Sequence, residues 1–143
     1  MSGGSISERF RRLALSNTEA VCRFLFGIVP TRYQAEFIRA VLARTGTGRY
    51  VLVASTRSGK TTATGMLAVL LALSYENEDV VVVAPTYRQS SILFSTVRNY
   101  FLQNQVLFRL LDRRRGFTRE MINLINGSTL RMLSSGNPEG LLG

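Results

Sequence analysis

Apolar positions along the chain recur at two spacings, and the spacing predicts the element. Ser7–Ser16 and Thr18–Phe26 repeat at helical intervals, with Thr18 placed to cap the second helix and Glu19 in its first turn. Gly27 and Pro30 interrupt the pattern. Thr31 opens a third helix to about Ala43, with Ala35, Phe37, Ile38, Val41 and Leu42 on its apolar side, and Thr45–Gly48 is a loop. Tyr50–Ala54 and Asp79–Ala84 are continuous apolar runs, which predicts strands covered on both faces. Between them lie a loop, Ser55–Gly59, and an apolar helix from Lys60 to about Ser74.

Arg88–Phe101 predicts an amphipathic helix with Leu93, Phe94, Val97, Tyr100 and Phe101 on its buried stripe. The aromatic residues on that stripe read as packing. Val106–Leu111 adds a turn or two, and Arg113–Gly116 is a basic loop. Met121–Ile125 and Ser128–Leu133 predict strands joined by a two-residue Asn126-Gly127 turn. Ser134–Gly143 reads as loop. No internal repeat interrupts this order.

Strand, loop, helix and strand within about 35 residues form a βαβ unit, and such units bind ligands outside the carboxyl end of the first strand. The segment at that end is Ala54-Ser55-Thr56-Arg57-Ser58-Gly59-Lys60-Thr61. It matches the phosphate-binding pattern G-x-x-x-x-G-K-[ST] except that Ala54 replaces the first Gly. In such a loop backbone amides converge on phosphate oxygens at a helix N-terminus. Gly59 permits close approach, Lys60 reaches the β- and γ-phosphates, and the Thr61 hydroxyl holds Mg²⁺. Upstream, Gln34 can donate to and accept from adenine in one plane, and Tyr33 or Arg32 can stack on the base.

Composition sharpens this reading. The chain has 143 residues and a formal net charge of +9, from 18 Lys and Arg against 9 Asp and Glu. Lys60 is the one lysine among those 18 cations; the other 17 are Arg. With no His and a single Cys, Cys22, a His-based triad, a His metal cage, a four-Cys zinc site and an internal disulfide are excluded. Cys22 reads as a small buried hydrophobe. Its solitary state leaves the redox compartment open, although a reducing cytosol fits. At 45% hydrophobic and 19% charged, the chain is no disordered polymer. The apolar run Ala68–Leu73, inside Thr62–Tyr75, is too short to span a bilayer. The first five residues lack a basic start and an apolar h-region, so they read as a flexible lead and not as a signal peptide.

Arg88, Arg98, Arg109, Arg113, Arg114, Arg115, Arg119 and Arg131 crowd the second half. The candidate nucleic-acid contacts are Arg88 and the Arg113–Arg115 cluster, through phosphate contacts that are salt-sensitive and sequence-independent. For the cluster, an acidic partner subunit and a merely solvated face stand as alternatives.

Tyr33-Gln34, Ala54–Thr61, Ala84-Pro85-Thr86-Tyr87-Arg88-Gln89, Asn126-Gly127-Ser128 and Ser134–Gly143 occur in an order that resembles the large terminase subunit of tailed double-stranded DNA viruses. The similarity spans roughly residues 28 to 143. It implies an α/β fold: a P-loop NTPase of the RecA-like, ASCE type, a parallel sheet flanked by helices. Residues 1–47 would form a helical segment carrying the adenine-side Gln34, and 48–143 the first part of the ATPase domain, ending in a β-hairpin.

The resemblance assigns Ser58, Gly59, Lys60, Thr61 and Thr62 to the phosphate loop and Gln34 to adenine. It implies ATP and Mg²⁺ as cofactors and translocation of double-stranded DNA into a capsid as the activity. The implied partners are DNA, the portal, the small terminase subunit and a possible homo-oligomeric ring. The implied place is the host cytoplasm, transiently at the procapsid portal, with no membrane. The family often has Arg four residues before the loop Lys. Here Thr56 stands there and Arg57 follows, so Arg57 is the candidate catalytic arginine or else a phosphate-facing or solvated loop residue.

No apolar strand ending in Asp-Glu exists to hold Mg²⁺ and polarise water. The strand bearing it would lie between the Val51 and Val81 strands. The expectation is therefore a fragment with an incomplete sheet that needs a partner for stability. A helicase-like DNA-dependent ATPase and a non-enzymatic nucleic-acid-binding module with a vestigial phosphate loop remain as alternatives.

Overall fold

The computed structural model describes residues 5–43, 49–53, 58–118 and 120–135, with backbone alone at 49, 50 and 58–61. The elements in chain order are α1 (Ile6–Ser16), α2 (Thr18–Phe26), α3 (Arg32–Leu42), β1 (Arg49–Val53), α4 (Ser58–Ser74), β2 (Asp79–Ala84), α5 (Tyr87–Gln103), α6 (Gln105–Arg109), β3 (Met121–Asn123) and β4 (Thr129–Ser134). They build a four-stranded mixed sheet flanked by helices, in the order β1-β2-β4-β3. β1, β2 and β4 are parallel, and β3 runs antiparallel to β4.

Helix starts follow from side chains that accept otherwise unpaired backbone N–H groups. Ser5 accepts from Glu8 N, Thr86 from Gln89 N, and Asn104 from Val106 N and Leu107 N. Thr18 does not cap α2 as expected. Asn17 occupies that position, and buried Thr18 instead donates its hydroxyl to Ala14 O at 2.7 Å, tying α2 to α1. Cys22 is fully buried, as its apolar neighbours predict, and burial followed by the nearby Glu19 charge pushes its thiol up to about 11.

α4 is the central helix. Residues 66 to 73 are all buried, which suits a helix that is apolar all round. α1, α3, α5 and the sheet all pack against it. Gly65 lets α5 approach closely, because a Cβ there would stand 3.2 Å from Leu93 Cδ1. The expected stripe of α5 points inward: Leu93, Val97 and Phe101 are buried, and Phe94 and Tyr100 pack against the same core.

Two expectations about the sheet are corrected. β1 pairs directly with β2, Val51 beside Val81 and Val53 beside Val83, so no central strand is missing between them. β1 is also not covered on both faces. Val51 is 59% and Val53 76% exposed. The winding gives the reason. The chain steps in one direction from β1 to β2 to β4, so crossovers of one hand lay α4 and α5 on the same face, over Val80, Val82, Leu130 and Met132.

The hairpin turn also differs. β3 ends at Asn123, and Leu124 N donates to Ser128 O at 3.0 Å, closing a three-residue loop of Ile125, Asn126 and Gly127. Gly127 takes the left-handed conformation, φ 87°, as the third residue of such a loop requires.

Candidate functional site at the carboxyl end of the sheet

Lys60 lies in the first turn of α4, on the crossover from β1 to its parallel neighbour β2. Gly59 and Thr61 share that turn. The first amides of a helix lack intrahelical partners, and the helix dipole adds positive potential there, so the backbone offers donors to an anion. Ala54 to Arg57, including the candidate Arg57, lie outside the described residues, as do the side chains of Ser58, Gly59, Lys60 and Thr61. Thr62 is half-buried one residue further along α4.

Gln34 occupies the first turn of α3, where it closes a capping box. Its Oε1 accepts from Thr31 N at 2.8 Å, and its own N–H donates to Thr31 Oγ1 at 3.2 Å. Reading adenine with that oxygen requires the box to open. The S/T-x-x-Q spacing Thr31–Gln34 was the signal for this structural use. Tyr33 is 84% exposed, as a stacking residue would be. The carboxyl ends of α3 and α4 meet, because Tyr75 Oη donates to Leu42 O at 2.7 Å. The first turns that carry Gln34 and Lys60 therefore both lie away from that junction.

The structure separates the basic candidates. Arg88 is exposed in the first turn of α5, just beyond the carboxyl end of β2. Arg113, Arg114 and Arg115 are exposed beside Asn123, whose partner Thr129 begins β4. That is the amino end of the parallel strands, some 16 Å from the carboxyl end at about 3.3 Å per residue. The basic loop is ordered by Asp112, whose Oδ1 accepts from Arg114 N at 2.9 Å and Arg115 N at 3.2 Å. Those amides, and secondarily the two guanidinium charges, hold the Asp112 carboxyl below the usual aspartate range. Arg131 belongs to the sheet, since it pairs with Asp79 at 2.8 Å.

Two aspartates lie away from the first turn of α4. Asp79 is engaged by Arg131 and Thr129, and Asp112 by its loop; both sit at the amino end of the sheet. Among the described residues no group of three or more His, Cys, Asp or Glu could hold a metal. No described helix is long and apolar enough to cross a membrane. No family model, curated protein or solved structure matches the chain.

Proposed function

We propose that the chain is a nucleotide-binding α/β module of a DNA-translocating motor of the terminase type. The observation that carries this reading is the position of Gly59-Lys60-Thr61. The only lysine of an arginine-rich chain falls in the first turn of a helix that follows a parallel strand. Amides of that turn would take the phosphates, Lys60 would neutralise them, and Thr61 would ligate Mg²⁺. When bound, Mg²⁺ supplies charge stabilisation to the phosphoryl group.

The direct pairing of β1 with β2 differs from the strand order that the resemblance implies, so the reading rests on the loop and not on the sheet. ATP binding is the activity expected of this chain. Hydrolysis coupled to DNA movement requires a carboxylate at the phosphates. Calorimetric titration with Mg·ATP tests the assignment: saturable binding in the wild type and at least a tenfold loss in Lys60→Ala. Equal affinity in both removes it.

A second reading, a nucleic-acid-binding module with a vestigial phosphate loop, is favoured by the exposed and ordered Arg113–Arg115 loop. It predicts DNA binding that weakens with salt and ignores ATP.

A further inference from the structure

A groove of about 370 Å³ lies between α5 and the carboxyl end of β4, within the roughly 300–1,000 Å³ range of small-molecule sites. β3 pairs with β4 only as far as Met121 and Arg131, so the groove opens beside the last residues of β4. Its position is where parallel sheets take ligands, outside the carboxyl ends of the strands. It is distinct from the first turn of α4, which lies on the crossover from β1, the strand at the other edge of the sheet.

The wall contributed by α5 carries Ser91, Ser95 and Arg98 at spacings of four and three, which places them in one row. Thr118 and Glu120, from the segment leading into β3, line the same groove, as does Phe94. Arg98 stacks over Phe117 at 5.3 Å, a contact that steadies a guanidinium without neutralising it. Among the described residues neither the Arg98 guanidinium nor the Glu120 carboxylate has an ion-pair partner.

The opposed charges select the ligand. Guanidinium and hydroxyl donors suit a phosphate. The Glu120 carboxylate repels a bare phosphate and calls for a donor elsewhere on the same molecule. A planar ring against Phe94 uses the apolar part of the lining. Phosphate, ring and exocyclic amine occur together in a nucleotide. We propose that this groove binds a nucleotide unit, with phosphate on Arg98, Ser91, Ser95 and Thr118 and an amino-bearing base on Glu120.

The test is calorimetric titration of the full chain in a Lys60→Ala background, which separates this site from the phosphate loop. Cytosine presents an exocyclic amine where thymine presents an oxygen acceptor. The expected result is saturable dCMP binding, with dTMP and inorganic phosphate at least tenfold weaker. Arg98→Ala is expected to cost dCMP at least tenfold. Ser95→Asp, an exposed change on the helix surface, is expected to do the same without touching the core. Glu120→Ala is expected to level dCMP and dTMP. A short oligo-dC binding more tightly than dCMP identifies a DNA strand as the source of the nucleotide; equal binding identifies the free nucleotide. Equal affinity for dCMP and dTMP, unchanged affinity in a folded Arg98→Ala and in Ser95→Asp, or no saturable binding overturns the proposal.

Discussion

Asn126 sits in a turn, yet its amide nitrogen faces Ala72 O at 2.8 Å, Ser7 Oγ at 3.1 Å and Tyr75 O at 3.2 Å, while its Oδ1 accepts from Ser128 N. Ala72 is in the last turn of α4, whose final carbonyls have no partner within the helix. Ser128 completes the clamp, donating to Tyr75 O at 2.6 Å and accepting from Glu78 N at 3.1 Å. A turn between strands thus closes the end of the central helix onto the start of β2. Gly127 is fixed by the same crowding, because a Cβ there would meet the Asn77 side chain. Removing the Asn126 amide strands partly buried carbonyls, each worth about 1–3 kcal/mol. Asn126→Ala is therefore expected to lower unfolding stability by about 2 kcal/mol, read as a reduced urea midpoint at unchanged slope. A midpoint equal to the wild type contradicts the clamp.

At the scale of elements, helix existence and order were legible because caps and apolar stripes are local. Thr31 at the start of α3 and the run from Leu93 to Phe101 each announce themselves within one or two turns, whereas Thr18 looked like a cap and is instead a buried residue of α2. The second strand was also legible, residue for residue, from Asp79 to Ala84. What misled was the meaning of a continuous apolar run. Val51 and Val53 read like Val80 and Val82, yet only the latter lie under helices; that difference is set by winding direction, not by composition. The short hairpin was misjudged for a similar reason, since Asn126 is held by α4, an element more than fifty residues earlier. The candidate site was legible as a motif, and the groove beside α5 was not, because Arg98 and Glu120 come to line one groove only through the fold.

The basic loop is an element whose order depends on pH. A carboxyl with a lowered value in the folded chain contributes stability that is present above the ordinary aspartate range. That contribution is lost as pH falls through the lowered value. The Arg114 and Arg115 amide resonances are expected to stay at their neutral-pH positions through mild acid and to move only below the ordinary aspartate range. A midpoint at or above that range contradicts the Asp112 contact, and Asp112→Ala is expected to abolish the transition.

At the scale of the whole molecule, the sheet has a helix-covered face and a face on which β1 leaves two valines in solvent. The two ends of the parallel strands also differ. The amino end holds the Asp79–Arg131 pair and the basic loop; the carboxyl end holds the first turn of α4, Arg88 and the groove beside α5. The nucleotide chemistry proposed above falls at the carboxyl end, where α4 and α5 begin, and the proposed contact with a polyanion falls at the exposed Arg113–Arg115 loop. The claim on which this division stands is that an anion seats on the amides at the start of α4. Amide chemical shifts followed during titration with Mg·ATP measure it most directly. The account predicts large, saturable shifts at Gly59, Lys60 and Thr61, with Arg113 to Arg115 unmoved. Resonances at the start of α4 that stay in place at saturating Mg·ATP would contradict it.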